Sequence, residues 1–294
     1  MKKILITGAN SYIGTSFEKY IEENYPDDYH IDTLDMINPN WKECDFSGYD
    51  SVFHVAGIAH ADVGRVSDET KRLYYRVNTD LSVETAKKAK ESNVKQFIYM
   101  SSIIVYGESA PYGKKKIITK DTKPSPSNFY GNSKLQADIQ LQELNDERFK
   151  VCILRPPMIY GKGSKGNYQI LSKLAKKLPI FPDINNERSM LYIGNLCWFV
   201  KECIDNFYEG IYFPQNEEYI STSKMVKEIA NANGKKIRLT KLLNPFVFLL
   251  LRMPGKIGGI CNKAFGNMIY EKECVIDMYS IAKSISETEN RYER

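Results

Sequence analysis

Short, continuously apolar runs alternate with amphipathic segments along the first half of the chain. Strands buried on both faces of a sheet give such continuous runs, whereas apolar residues that repeat every three or four positions predict helices. The predicted strands are 3–7, 30–34, 50–55, 96–100 and 150–154, and the predicted helices are 13–23, 81–92 and 132–144. Strands that alternate with helices in this way predict an α/β fold built on a doubly wound parallel sheet.

The rhythm of the chain changes after Gly161. A glycine-rich stretch at 161–167 precedes a predicted amphipathic helix at 168–177, and from about residue 220 short helical, extended and irregular segments mix. The sequence therefore predicts a large first domain and a smaller C-terminal lobe. The predicted boundaries are 1–165 for the first domain, to which 190–215 returns, and 166–189 with 216–294 for the lobe.

The composition excludes several classes of protein. The chain has 294 residues and a net charge of +5, and we expect this small excess to be spread along the sequence, which does not favour nucleic-acid binding. Its six cysteines form no Cys-x-x-Cys pair and it has three histidines, so we expect free thiols and no zinc site. No apolar run is long enough for a signal peptide or a membrane-spanning helix, so we expect a cytoplasmic protein.

The first turn from strand to helix, TGANSYIG, is typical of a dinucleotide-binding loop. Gly8 permits a tight turn after the strand, and Gly14 permits close packing of the helix. Backbone N–H groups at the start of such a helix bind a pyrophosphate. The usual middle glycine is Ser11 here, so the chain departs from the pattern at one backbone–phosphate contact. An ordinary strand-to-helix turn is the alternative.

An acidic residue follows the second predicted strand. Asp35 at this strand end can accept hydrogen bonds from an adenosine ribose, and its charge repels a 2′-phosphate, which favours NAD over NADP. Asp32 is the alternative for this role, although strand length and side-chain alternation favour Asp35.

Three side chains suited to proton and hydride chemistry come later in the chain. Ser102 follows the buried strand 96–100, at the edge where open α/β sheets bind ligands. Tyr130 and Lys134 are spaced so that they share one helical face. Because a lysine cation near a phenol lowers the pKa of the phenol, we expect Tyr130 to take and give a proton near neutral pH.

Together these motifs resemble the extended short-chain dehydrogenase/reductases, which include the NAD-dependent nucleotide-sugar epimerases and dehydratases. The matching stretches between Lys3 and about Leu196 are TGANSYIG, HVAG, VNTD, SSIIVYG, YGNSK, LRPPMIYG and RSMLYIGNL. The resemblance implies a Rossmann fold that binds NAD, with a substrate-binding C-terminal lobe. It also implies that Ser102 hydrogen-bonds the reacting oxygen, that Tyr130 is the acid and base, and that Lys134 binds the nicotinamide ribose.

The resemblance further implies which residues contact NAD. Asp45 and Phe46 are expected to flank the adenine. Ala56 and Gly57 are expected to line the dinucleotide, and Asn78 to support the site. The full set expected to contact NAD is Gly8, Asn10, Ser11, Tyr12, Ile13, Gly14, Asp35, Asp45, Phe46, Ala56, Gly57, Asn78, Tyr130 and Lys134.

A departure from the family pattern narrows the reaction. Dehydratases of the family carry an Asp-Glu pair just after the serine, where this chain has Ile103 and Ile104, and isoleucine cannot carry a proton. Hydride chemistry at one carbon, C4, remains. The favoured reaction is 4-epimerisation of a UDP-hexose or UDP-N-acetylhexosamine through a 4-keto intermediate. The alternatives are one-way reduction of a UDP-4-keto-6-deoxy sugar and a non-catalytic dinucleotide sensor, and the sequence does not name the sugar.

The stretch 161–196 resembles the nucleotide-binding region of UDP-hexose 4-epimerases and 4-keto reductases. Asn167 and Arg188 are the expected contacts to the diphosphate and uridine, since an arginine fork pairs two phosphate oxygens. A solvated surface cation is the alternative for Arg188.

Other conspicuous residues have ordinary structural interpretations. We expect His54 and His60 to be structural, and the lysine runs 114–116 and 176–177 to be solvated. The apolar run 246–251 is expected to form a core helix of the C-terminal lobe. A homodimer contact or a membrane-surface patch is the alternative for this run.

Overall fold

The computed structural model describes residues 1–59, 66–111, 113–253 and 255–289. Strands and helices are numbered β1–β14 and α1–α10 along the chain. Contacts divide the chain into two compact units. Unit 1 comprises Met1–Gly107, Pro124–Pro156 and Leu196–Pro214, and unit 2 comprises Glu108–Lys123, Pro157–Asn195 and Gln215–Arg294.

Unit 1 is built on a six-stranded parallel sheet. Its strands are β1 (Lys2–Thr7), β2 (Tyr29–Leu34), β3 (Ser51–His54), β4 (Gln96–Met100), β6 (Lys150–Leu154) and β10 (Gly210–Tyr212). They lie in the order β10-β6-β4-β3-β1-β2, and every neighbouring pair is parallel. The strand order reverses between β1 and β3, which is the point where ligands of doubly wound sheets bind.

The sheet of unit 1 is covered on both faces. Every residue of β3 and β4 is buried, and successive side chains of a strand point to opposite faces. This explains the continuous apolar runs that predicted these strands. The helices of this unit are α1 (Tyr12–Asn24), α2 (Asp68–Tyr75), α3 (Leu81–Glu91), α4 (Phe129–Gln142) and most of α6 (Ile193–Asp205), with a π-helical turn at Arg76–Asp80 and 3₁₀ turns at Pro39–Glu43 and Ile103–Tyr106.

The predicted doubly wound parallel sheet is confirmed, and the five predicted strands lie within one residue of their expected ends. Helix α4 begins at Phe129, three residues before the predicted start at 132. The reason is an N-cap: the side chain of Asn128 accepts a hydrogen bond of 2.9 Å from the N–H of Gly131. This earlier start places Tyr130 inside the first turn of the helix.

Unit 2 combines short strand pairs with helices around a separate apolar core. The pairs are β5 (Ile117–Ile118) with β13 (Ile269–Tyr270), β7 (Met158–Tyr160) with β9 (Met190–Tyr192), β8 (Ile180–Pro182) with β12 (Arg238–Thr240), and β11 (Gln215–Asn216) with β14 (Val275–Ile276). The helices are α5 (Asn167–Lys177), α7 (Thr222–Ala232), α8 (Asn244–Arg252), α9 (Lys256–Phe265) and α10 (Ile281–Glu289). The core contains Val226, Ile229 and Ile285, which are fully buried.

The boundaries of the two units differ from the predicted domains in three places. Glu108–Lys123, expected in the first domain, belongs to unit 2 because β5 pairs with β13 and Ala110 bridges Asn267. Residues 157–165 and 190–195, also expected in the first domain, belong to unit 2, where β7 pairs with β9. The three differences have one physical cause: short strands in these segments pair with strands distant in sequence, and apolar periodicity does not reveal such partners.

Among the described residues, no helix is long and apolar enough to cross a bilayer.

Candidate active site

The glycine loop after β1 lies directly beside the end of β2. The N–H groups of Gly8 and Ala9 both donate to the carbonyl of Leu34, at 2.9 and 3.1 Å. Gly8 has a φ of +122°, and a side chain there would lie 2.6 Å from the backbone nitrogen of Ala56. Glycine is therefore required at this position by the turn and by the approach of the loop after β3.

Ser11 caps helix α1. Its side chain accepts a hydrogen bond of 3.1 Å from the N–H of Gly14, and Asn10 precedes it with a positive φ of 61°. The predicted close packing at Gly14 is confirmed, because an added Cβ would lie 3.1 Å from Ile6 and 3.2 Å from Val55. The Ser11 hydroxyl thus accepts from the Gly14 N–H, which a bound phosphate could otherwise have accepted from. Tyr12 and Ile13 open the helix, and among the described residues no partner is found for the Ile13 N–H.

Asp35 follows β2 beside this loop. It comes directly after Leu34, whose carbonyl accepts the two loop N–H groups, and its carboxylate is exposed. One of its oxygens accepts from the N–H of Ile37 at 2.9 Å. Asp32, the alternative, already accepts from the Tyr49 hydroxyl at 2.8 Å and lies 3.0 Å from the His30 ring. The geometry favours Asp35 for a ribose contact.

Asp45 and Phe46, expected to flank the adenine, differ sharply in exposure. Asp45 is exposed and accepts hydrogen bonds from the backbone and hydroxyl of Ser47, which lower the pKa of its carboxyl. Phe46 is fully buried in the core of unit 1. Because the Phe46 side chain has no exposed surface, the predicted contact of this residue with the adenine can involve only its backbone.

The loop after β3 is held by Asn78. Asn78 lies in the π-helical turn and is fully buried. Its side chain accepts from the N–H of Ile58 at 2.8 Å and donates to the carbonyl of Ile58 and the hydroxyl of Ser133, both at 3.1 Å. A Cβ on Gly57 would lie 3.1 Å from the Asn78 oxygen and 3.2 Å from Lys134 Nζ. Asn78 therefore supports the site by fixing the loop that carries Ala56 and Gly57.

Ser102 follows β4 at the carboxyl edge of the sheet. It caps the 3₁₀ turn Ile103–Tyr106, accepting from the N–H of Ile104 at 3.3 Å, and it is half-buried. The Ser102 hydroxyl lies near Tyr130 on helix α4, where it acts to lower the pKa of the Tyr130 phenol. The structure thus brings together two of the three residues that the motifs single out for chemistry.

The environment of the Tyr130 phenol disfavours its ionisation. Burial raises its pKa to about 12, and the nearby Ser102 hydroxyl opposes this shift. The Tyr130 ring also packs edge-on against Tyr74, with ring centroids 5.9 Å apart. The expected lowering of this pKa by Lys134 is wrong, because burial dominates.

Lys134 is buried one turn beyond Tyr130 on helix α4. Its ammonium donates to the carbonyl of Met100 at 2.8 Å and lies 4.7 Å from the centre of the Tyr99 ring. Burial lowers the pKa of Lys134 to about 8, opposed by the negative charge of Asp138. The cation therefore lies at the end of β4 and beside Gly57, in the part of the site expected to hold a nicotinamide ribose.

Sequence reasoning missed a buried ion pair beneath these residues. Asp138, one turn beyond Lys134 on α4, accepts from Arg155 Nε at 2.8 Å, and both side chains are almost fully buried. Burial raises the pKa of Asp138, and Arg155 opposes this shift. The signal that could have found it is the four-residue spacing Tyr130, Lys134, Asp138, which predicts a polar stripe along one helical face.

The expected substrate contacts lie in unit 2. Asn167 is the first residue of α5 and is exposed. Arg188 donates from Nη1 to the backbone carbonyl of Lys263 at 2.6 Å and of Gly266 at 3.4 Å, and it is half-buried. Burial lowers the pKa of Arg188, and no carboxylate among the described residues forms a salt bridge with it. The interpretation of Arg188 as a solvated surface cation is therefore wrong, because its guanidinium is anchored at the end of α9.

The structural interpretations of the other polar residues are partly tested. His54 is fully buried between the hydroxyls of Thr7 and Ser82, at 2.8 and 3.1 Å, and burial lowers its pKa to about 3. Its structural role is confirmed, whereas His60 lies outside the described residues. All six cysteines are free thiols, and the described residues contain no cluster of His, Cys, Asp or Glu that could hold a metal ion.

The residues of unit 1 fit a bound dinucleotide. A helix N-terminus, the exposed Asp35 carboxylate and the buried Lys134 cation all lie at the carboxyl edge of the sheet. The helix N-terminus supplies donors for a pyrophosphate, Asp35 supplies an acceptor for one ribose, and Lys134 supplies a cation for the second ribose. A side chain at Gly57 would crowd Lys134, so the glycine keeps that end of the site open.

Comparison with known proteins agrees with this geometry. The family model described as "NAD dependent epimerase/dehydratase family" matches residues 4–210. The chain is 33% identical to a UDP-glucose 4-epimerase of Vibrio cholerae over 80% of this chain and 76% of that protein. It is 27% identical to an N-acetyl-alpha-D-glucosaminyl-diphospho-ditrans,octacis-undecaprenol 4-epimerase of Escherichia coli O157:H7, over 88% of this chain and 78% of that protein.

Solved structures share the fold at lower identity. A UDP-glucuronic acid 4-epimerase of Bacillus cereus, in complex with NAD, superposes with a TM-score of 0.72 at 17% identity and covers 97% of this chain and 96% of its own. A dTDP-4-dehydrorhamnose reductase of Bacillus anthracis, in complex with NADP, superposes with a TM-score of 0.72 at 20% identity and covers 98% of this chain and 99% of its own. Together with the match over residues 4–210, these findings show that the chain belongs to the NAD-dependent epimerase/dehydratase family and that NAD is its cofactor.

Proposed function

We propose that the chain is an enzyme that inverts C4 of a UDP-hexose or UDP-N-acetylhexosamine, with NAD and through a transient 4-keto sugar. The observation that carries the proposal is that Lys134, one turn beyond Tyr130 on α4, donates to the last carbonyl of β4, where Ser102 follows at the carboxyl edge of the sheet. A non-catalytic sensor needs no such set. Two relatives that match 80% and 88% of this chain are both named as 4-epimerases, which supports the same reaction.

Tyr130 and Ser102 carry the proton chemistry of this proposal. Tyr130 takes the proton of the C4 hydroxyl as the C4–H bond breaks, and returns it when the C4–H bond re-forms on the other face. Ser102 donates a hydrogen bond to the C4 oxygen in its keto form, which stabilises the developing charge. When bound, NAD supplies the acceptor and later the donor of the hydride.

Lys134 acts on this chemistry through its charge. Because its pKa is about 8, the ammonium is largely charged at neutral pH. We assign it to the nicotinamide ribose and to stabilising the Tyr130 phenolate. Asp138 acts as a positioning residue, because its carboxylate favours the charged form of Lys134.

Two neutral side chains support epimerisation over dehydration. Ile103 and Ile104 follow Ser102 in the 3₁₀ turn and are half-buried. Neither can move the proton and hydroxyl that dehydration at C5 and C6 requires. Inversion at C4 needs no group beyond Ser102, Tyr130 and Lys134.

We assign the cofactor and substrate contacts as follows. Asp35 receives the adenosine ribose, and Arg188 with Asn167 receives the substrate diphosphate and uridine. A half-buried guanidinium without a carboxylate partner among the described residues is suited to a phosphate, because its charge is otherwise uncompensated. We place the reaction in the cytoplasm, where NAD and nucleotide sugars are supplied.

The test of this proposal is incubation of the purified protein and NAD with UDP-glucose, UDP-galactose and their N-acetyl analogues. We expect the C4 epimer by NMR, without net formation of reduced nicotinamide. A parallel assay supplies UDP-4-keto-6-deoxy sugars with NADH or NADPH. Stoichiometric oxidation of the cofactor there, with no epimer from any UDP sugar, would overturn the epimerase and favour a 4-keto reductase. Epimerisation of a polyprenyl-diphospho sugar alone would overturn only the UDP carrier.

A further inference from the structure

Helix α8 and the turn before it expose a continuous apolar stripe. Leu242, Phe246, Leu249 and Met253 are 89%, 61%, 62% and 39% exposed. Their spacing of four, three and four residues places them on one side of the helix. Single exposed apolar residues are ordinary, but an aligned set of large ones marks an interaction surface. We call this set the α8 stripe.

The opposite side of α8 is already packed. Val247 is buried in the core of unit 2, and Phe248 and Leu251 pack against that core. The end of the helix is also fixed: a side chain at Gly258 would overlap the Met253 carbonyl, and Asn262 donates to the Leu251 carbonyl at 3.4 Å. The α8 stripe is therefore presented on an anchored helix. The predicted helix at 246–251 is confirmed, but only one of its sides packs in the core.

Positive charge is concentrated in the stretch of sequence that carries this stripe. Between Glu228 and Glu271 the chain has no acidic residue and seven basic ones. Since the whole chain carries a net charge of +5, the rest of it is net negative by two, so the expectation of evenly spread charge is wrong. Six of these cations have described side chains, all are exposed, and none forms a salt bridge within the described residues. They are Lys235, Lys236, Arg238, Lys241, Arg252 and Lys263.

We propose that the α8 stripe and its basic segment dock the protein on an anionic phospholipid bilayer. Apolar side chains on one side of a short helix, flanked by lysine and arginine, are the pattern of helices that lie in the membrane interface. The negative surface of the cytoplasmic leaflet attracts such segments, and each cation near it raises affinity roughly fivefold. The proposal is independent of the substrate.

Two other occupants fit the observations less well. A second copy of the chain in a two-fold dimer would bring the same patch against itself, so the cations beside the stripe, such as Lys241 and Arg252, would face their own copies. A nucleic acid would neutralise the charges, but it offers no apolar partner for the stripe. A lipid bilayer supplies both the anionic surface and the apolar layer.

The test is co-sedimentation of the full chain with vesicles of phosphatidylglycerol and phosphatidylcholine, and with vesicles of phosphatidylcholine alone. We expect binding to the anionic vesicles only, weakening as salt is raised. The double variant Phe246→Ser/Leu249→Ser should bind about 100-fold more weakly, because two apolar side chains no longer insert. Reversal of Lys241 and Arg252 to Glu should weaken binding by at least about 20-fold.

Matched controls change equally exposed residues elsewhere. Ile37→Ser alters an isoleucine that is 90% exposed, and Lys87→Glu reverses an exposed lysine on α3, and neither should change binding. Equal binding to both vesicle types, or full binding by the double serine variant, would overturn the proposal. The double serine variant is also checked by light scattering without vesicles. A shift from dimer to monomer there would assign the stripe to a second copy instead.

Discussion

The Tyr130 phenol combines a buried position with the nearby hydroxyl of Ser102. Burial raises its pKa to about 12, so it gives up its proton only when positive charge in the site favours the phenolate. Sequence spacing identified this residue and its partner Lys134. It could not give the direction of the pKa shift, because that depends on burial and on the carbonyl that the lysine contacts.

Tyr130→Phe removes only the phenol oxygen. We expect turnover to fall by about 10²–10⁴-fold, the usual contribution of a general acid and base, while NAD affinity changes little. Turnover is measured by NMR and NAD binding by calorimetry. The control is Tyr74→Phe, which alters the neighbouring ring 5.9 Å away and should leave turnover within a few fold. A Tyr130→Phe protein with more than about a tenth of normal turnover would contradict the assignment.

Asp35 and Asp32 are the two candidate acceptors for the adenosine ribose, so alanine variants of both can be compared for cofactor preference. Asp35→Ala should narrow the preference for NAD over NADP, because it removes a ribose acceptor and the charge that repels a 2′-phosphate. Asp32→Ala should leave the preference unchanged, since its carboxylate is engaged by Tyr49 and His30. Both dissociation constants are measured for each protein. Equal affinities of the unmutated protein for NAD and NADP would refute this assignment.

At the scale of elements, His54 joins three of them. It ends β3, and its ring contacts Thr7 at the end of β1 and Ser82 on α3. The chain after these strands carries Gly8, Ala56 and Gly57, so the buried ring helps to fix the strand ends from which the site is built.

His54 makes stability depend on pH. Its pKa in the folded protein is about 3 against 6.5 in the unfolded chain, so below pH 6.5 only the unfolded state gains a proton from it. Stability is fully present above pH 6.5 and should fall by about 2 kcal/mol between pH 7 and pH 5 from this residue alone.

Urea unfolding of the normal protein and of His54→Gln measures this effect. The variant should lose that part of the pH dependence, whatever its absolute stability. His30→Gln, which alters an exposed histidine, serves as the control and should keep it. An identical pH dependence in the normal and His54→Gln proteins would show that the buried histidine titrates normally.

Arg188 connects the end of α9 with the proposed diphosphate site. Arg188→Ala should weaken UDP binding by about 2 kcal/mol, roughly thirtyfold in Kd, through the loss of a charged hydrogen bond. It should also lower Tm, because two carbonyls at the end of α9 lose their donor. Arg252→Ala, at an exposed arginine in the same unit, should leave UDP binding unchanged. A lower Tm with an unchanged Kd for UDP would assign Arg188 to structure alone.

The elements of unit 1 were largely predictable from sequence, as were helices α5 and α8 of unit 2, whereas the short strands of unit 2 were not. Strands β3 and β4 are buried throughout, so their apolar runs are continuous and stand out. Strands such as β5 and β13 have two residues each and pair across the sequence, so no periodicity marks them. The placement of Phe46 in the core also escaped prediction, because a motif gives a residue's position in the chain but not the direction of its side chain.

At the scale of the whole molecule, chemistry and charge are placed on different units. The proposed reacting groups belong to unit 1, whereas the basic, apolar segment around α8 belongs to unit 2. The net charge does not indicate this basic segment, because +5 is an ordinary value for 294 residues. The family model matches residues 4–210 and ends before that segment.

The central claim is that a hydride leaves C4 of the sugar and returns to the same carbon on its other face. The most direct test follows UDP-glucose and UDP-N-acetylglucosamine that carry deuterium at C4 through turnover in ordinary water. The account predicts a C4 epimer that keeps its deuterium at C4, because the hydride never exchanges with solvent. Loss of the label to water, or no epimer from either sugar, would contradict it.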